Sequence, residues 1–90
     1  MADARELPPP SFSSFVVSLA SSAMEHLGET NHPEAKPDLL MARQTIDLLG
    51  ILEDKTKGNL DEEEQKLLDT LLFELRTKFI EKQKALSAEA

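Results

Sequence analysis

The sequence predicts an all-α domain, a three-helix antiparallel arrangement completed by self-association. Three observations predict it. Apolar residues recur at spacings of three and four in three separate stretches. Helix-starting residues precede each stretch, and Gly28, Pro33, Pro37 and Gly58 fall between them. The chain is also short, 90 residues, so a second domain is not expected.

The expected organisation is a disordered, proline-containing tail over 1–10, one domain over 11–84 and a frayed end over 85–90. Met1 to Pro10 carries Asp3, Arg5 and Glu6 before three consecutive prolines, unlike a secretory signal. Pro8 to Pro10 would hold the chain stiff, and a short proline run can also be docked by an aromatic groove. The first helix should begin at one of Ser11, Ser13 or Ser14 and end at Gly28. Its apolar face gathers Phe12, Phe15, Val16, Leu19, Ala20, Ala23 and Leu27, against a solvated face of serines and Glu25.

A loop with two prolines carries the chain to Asp38, whose carboxylate suits the start of the second helix. That helix ends at Lys55-Thr56-Lys57-Gly58, with cations at the negative pole of its dipole and a glycine able to turn left-handed. Asp61 and Glu64 then form an acidic capping box for the third helix, whose apolar face is Leu67, Leu68, Leu71, Leu72, Leu75 and Phe79. Its charges run from acidic at the start to Arg76, Lys78, Lys82 and Lys84, complementing the dipole. The helices are expected over 12–27, 38–56 and 62–84. The expected core is Phe15, Leu19, Ala23, Ile46, Leu49, Leu68, Leu71, Leu75 and Phe79.

Charge and composition exclude several functions. Ten basic against seventeen acidic residues give a net charge of −7, the wrong sign for nucleic acid or anionic lipid. The absence of cysteine removes disulfides, thiolate nucleophiles and cysteine-held metals, and a cytoplasmic location is expected. His26 and His32, with Glu29 between them, supply metal-compatible atoms but no ligand spacing tied to a known site, so no metal or other cofactor is expected. Glu53 and Asp54 are adjacent and point about 100° apart on a helix, which does not build a shared acid/base pair. No catalytic residue is expected, and the chain is not expected to be an enzyme.

What the helices leave over is apolar surface. On the second helix Arg43, Asp47, Gly50 and Asp54 form a narrow polar strip, while Leu39, Met41, Ala42, Ile46, Leu48, Leu49, Ile51 and Leu52 sweep most of the remainder. On the third, Phe73 and Ile80 stack on a flank away from the leucines. A small bundle needs a stripe only a little over ~100° wide, so Met41, Leu48, Ile51, Leu52, Phe73 and Ile80 are the expected partner-binding residues. The expected function is a non-enzymatic interaction module, a homodimer first and a dock for another protein second. The alternative is a small-ligand or phosphate-binding regulatory domain using the turn Lys55 to Asn59.

Three blocks of the sequence also resemble a known family. They are Ser11-Phe12-Ser13-Ser14-Phe15 through His26-Leu27-Gly28, Pro37-Asp38-Leu39 with Ala42-Arg43-Gln44-Thr45-Ile46-Asp47-Leu48-Leu49, and Leu52-Glu53-Asp54-Lys55-Thr56-Lys57-Gly58-Asn59-Leu60 followed by Leu72-Phe73-Glu74-Leu75-Arg76. The Lys-Thr-Lys-Gly-Asn-Leu string is the most distinctive. The chain resembles the small bacterial family known as domain of unknown function 1844. The resemblance implies a small bacterial cytoplasmic protein and brings no activity, cofactor or catalytic residue with it.

Overall fold

The structure, a computed structural model, describes residues 9–29 and 36–89. Three helices follow one another, α1 (Phe12–His26), α2 (Leu39–Lys55) and α3 (Glu62–Glu89), and each packs on both of the others. The expected calls at Met1 to Pro8, Asn31, His32 and Pro33 lie outside the described residues.

Each helix starts where a side chain satisfies the free amides of its first turn. Ser11 caps α1, accepting from the Ser14 amide at 3.0 Å while its own amide donates to Ser14 Oγ at 3.2 Å. Asp38 caps α2 by accepting from the Met41 amide at 3.2 Å. At α3 the Glu64 amide donates to Asp61 Oδ1 at 2.8 Å and the Asp61 amide to Glu64 Oε1 at 3.0 Å, the reciprocal pair expected from the sequence. The helix ends are equally explicit. Gly28 takes φ +85°, and its amide and that of Glu29 bond back to the carbonyls of Glu25 and Met24, a Schellman turn that stops α1. A Cβ at Gly28 would lie 3.1 Å from Pro37 Cγ, so glycine is demanded there by conformation and by space.

The chain re-enters next to where it left, because the Asp38 amide donates to the His26 carbonyl at 2.6 Å. Glu29 Oε1 approaches Lys78 Nζ at 3.9 Å and Lys82 Nζ at 3.7 Å, which sets the end of α1 against the C-terminal half of α3. These partly exposed pairs orient more than they stabilise. α3 continues as helix through Glu89, past the expected end at 84. Ala85, Leu86 and Ala88 are helix formers, and no glycine or proline interrupts them.

The core is Val16, Ala20, Ala23 and Leu27 from α1 and its cap, Ala42, Ile46 and Leu49 from α2, and Leu68, Leu72 and Leu75 from α3. Leu19, Leu71 and Phe79 pack against it half-buried. Phe15, expected in the core, is instead 50% exposed. α1 turns its small residues inward, Ala20 and Ala23 among them, which lets its backbone come close to its neighbours and carries the bulkier Phe15 to the edge. The buried Thr45 hydroxyl donates to the Met41 carbonyl at 2.9 Å, and no buried side-chain N or O among the described residues lacks a partner.

Leu49→Ala is therefore expected to lower unfolding stability by about 2–5 kcal/mol, and Phe15→Ala by less than about 1 kcal/mol. Urea titration followed by circular dichroism on dilute protein checks both values.

Candidate functional site

α2 and α3 meet along one flank of each, with apolar side chains between them and charged ones at the edge. The Arg76 guanidinium lies over Gly50, where a Cβ would come within 3.2 Å of Nη2. From there a groove of about 340 Å³ runs along the helix pair, floored by Ile46, Phe79 and Ile80 and rimmed by Arg43, Asp47 and Arg76. Arg43 Nε and Asp47 Oδ2 are 3.9 Å apart, both well exposed. Phe73 stands one turn from Arg76 on the same flank of α3 and is 72% exposed, an unusual state for a phenylalanine.

The other end of the helix pair is acidic. Glu53, Asp54 and Asp69 line a hollow with Lys57 and Gln65. The Glu53 carboxyl is held above its ordinary value of 4.5 by a hydrogen bond with Asp69, then by partial burial and the Asp69 charge. Arg76 acts in the opposite direction. Asp69 also accepts from Gln65 Nε2 at 3.0 Å.

The six residues expected to bind a partner do not form one patch. Ile80 lines the α2/α3 groove, and Phe73, one turn before Arg76 on α3, stands exposed outside that lining. Met41 and Leu48 are also exposed, but stand about 160–180° around α2 from Gly50, on its far flank. Ile51 is exposed between those two directions. Leu52 is half-buried against the core, so it belongs to the packing rather than to the surface. The polar strip of Arg43, Asp47 and Asp54 separates the two apolar sets. Sequence periodicity gives each angle around its own helix but not which flanks meet, which is why the two sets looked continuous.

The Arg43 and Arg76 rim was not singled out as a site from the sequence. Its signal was present in the i, i+4 placement of Arg43 and Asp47 and in Arg76 three residues beyond Phe73.

The Lys55 to Asn59 turn is occupied by its own capping. The amides of Thr56, Lys57 and Asn59 donate to the carbonyls of Leu52, Asp54 and Thr56, and the Thr56 hydroxyl donates to the Leu52 carbonyl at 2.6 Å. Gly58 takes φ +83° to complete the turn. The carboxylates of Glu53, Asp54 and Asp69 in the adjacent hollow oppose an approaching phosphate. His26 is half-buried, and its backbone carbonyl accepts from Asp38. No group of three or more His, Asp or Glu among the described residues is placed to hold a metal ion. No helix among them is long and apolar enough to cross a membrane.

A family model matches residues 9–81, which takes in all of α1, α2 and most of α3. The chain belongs to the family described as domain of unknown function (DUF1844). The match contains every residue of the α2/α3 groove and the acidic hollow, so both lie in the part of this DUF1844 protein that defines the family. No curated protein and no solved structure matches the chain.

The raised Glu53 carboxyl has a sign that can be checked. Its folded-state value lies above the ordinary one, so the stability it contributes is present below about pH 4.5 and is lost as pH rises through the raised value. Glu53→Gln keeps a donor for Asp69 and removes the charge. It should raise Tm at pH 7 by on the order of 1–4 °C and leave it unchanged at pH 4, read by differential scanning calorimetry.

Proposed function

We propose that this DUF1844 domain is a non-enzymatic protein-interaction module, which self-associates or docks another protein through the face where α2 and α3 meet. The observation that carries this is Phe73, 72% exposed, beside a groove floored by Ile46, Phe79 and Ile80. A large aromatic on the surface next to an apolar trough gains from being covered, and burying an aromatic and an isoleucine is worth about 3–6 kcal/mol before association entropy is charged. That is comparable with the whole net stability of a small domain, about 5–15 kcal/mol.

Polar groups at the rim suit the same role. Arg43, Asp47 and Arg76 surround the apolar floor as charged residues surround the centre of a protein interface. The net charge of −7 favours a protein over nucleic acid or an anionic membrane as the bound species. The proposal assigns no catalytic residue, no metal and no cofactor. Met41 and Leu48 on the far flank of α2, with Ile51 between the two directions, form a second exposed set that the primary contact does not need.

The test is the double substitution Phe73→Asp and Ile80→Asp, with mass measured by light scattering after gentle affinity purification. The unaltered chain should emerge above its own 10.0 kDa, as a multimer or with a stoichiometric second protein, and the variant at single-chain mass with its helical circular dichroism intact. An unaltered chain of single-chain mass with nothing bound, or a heavier particle insensitive to the substitutions, would overturn the proposal.

A further inference from the structure

One flank of α3 carries Asp69, Phe73, Arg76 and Ile80, spaced by four, three and four residues so that they stand in one line along the helix. Charges along this line are sorted by sign. To one side of Phe73 stand Asp69, Glu53 and Asp54, with Lys57 the only cation in that hollow. To the other side stand Arg76 and Arg43, with Asp47 the only anion lining that groove. Phe73 sits between the halves, about 6 Å along the helix axis from Asp69 and about 4.5 Å from Arg76 by the rise of an α-helix.

The acidic half sets three carboxylates, Glu53, Asp54 and Asp69, against one lining cation, Lys57. Hydrogen bonding with Asp69, partial burial and the Asp69 charge all disfavour ionised Glu53, and Arg76 offsets them only in part. A cation brought over this end from outside would relieve the repulsion.

We propose that the occupant of this face is a second copy of the same chain, its α3 antiparallel to the first about a two-fold axis at Phe73. This names the partner of the interaction module proposed above and rests on that proposal. The two-fold rotation exchanges the ends of α3, so Arg76 of each copy, three residues beyond Phe73, meets Asp69 of the other, four residues before it. The same patch then serves both copies, as a closed two-fold interface requires. Phe73 meets Phe73 at the axis, where each ring covers the other and the neighbouring apolar groove gains a lid. Stacking the copies in the parallel sense would place acid on acid, and for a chain of net charge −7 that repulsion selects against it. A purely acidic or purely basic partner would complement one half of the face and oppose the other.

The complementarity gives a test by exchange of charge. Asp69→Arg and Arg76→Asp, made singly, each place like charges opposite one another at both symmetry-related contacts. Each should raise the dimer dissociation constant by about tenfold or more, read by analytical ultracentrifugation over a concentration series. Mixing the two single variants places arginine opposite aspartate at both contacts and should restore a heterodimer, which native mass spectrometry identifies from the two chain masses. Circular dichroism checks that both remain folded, as expected for exposed positions.

Three outcomes overturn the inference: an unaltered chain that sediments as one 10.0 kDa particle at every concentration, a dimer insensitive to the single substitutions, or single variants that do not recombine. A monomer that retains another protein through Phe73 and Ile80 overturns the second copy and leaves the interaction module standing. A monomer that retains nothing overturns both.

Discussion

The fold depends on how α1 seats itself. Val16, Ala20, Ala23 and Leu27 meet Ala42, Ile46 and Leu49 with small side chains on both sides, so the helices approach closely and every one of these residues is shut off from water. A helix of 15 residues facing inward with two alanines covers little area. It buries one flank of α2 at the core and leaves Met41, Leu48 and Ile51 in solvent beyond it. α3 closes the other flank with Leu68, Leu72 and Leu75, with Leu71 and Phe79 half-buried beside them, while Phe73, Ile80 and Leu86 stand outside. The exposed apolar surface thus follows from the small inward face of α1, and no further helix among the described residues covers it.

Charge then decides which exposed set matters. Met41 and Leu48 lie by Gln44, and Ile51 by Asp47, Asp54 and Lys55, so this set has no oppositely charged ends to orient a partner. The α2/α3 face has apolar contact at its centre and opposite charges at its ends, so it combines affinity with a direction. The Glu53 carboxyl at the acidic end is raised first by its hydrogen bond with Asp69, then by partial burial and the Asp69 charge.

Much of this fold was legible in the sequence, because caps are local. Ser11, Asp38, Asp61 with Glu64, and Gly28 each act within one turn of the chain, and each acts as their spacing predicts. The facing of helices is not local. Phe15 and Val16 are neighbours on the same apolar arc, and only the packing partner decides which is buried. Leu52 was assigned to the surface although it packs on the core, for the same reason. Phe73 and Ile80 were recognisable as surplus because they lie off the leucine face of their own helix, a property of one helix alone. Their separation from Met41 and Leu48 by the Arg43, Asp47 and Asp54 strip, and the gathering of Asp69 with Glu53, needed the relative placement of two helices. The family match adds extent, residues 9–81, and no chemistry.

The most direct measurement places a fluorine label on the four phenylalanines and follows each 19F resonance by NMR as the chain is diluted, in light and heavy water. If the ring of residue 73 lies against its own symmetry mate, its signal loses the solvent isotope shift at high concentration and regains it on dilution, while Phe12 and Phe15 on α1 change little. A Phe73 resonance that keeps the full solvent shift at every concentration would contradict the account.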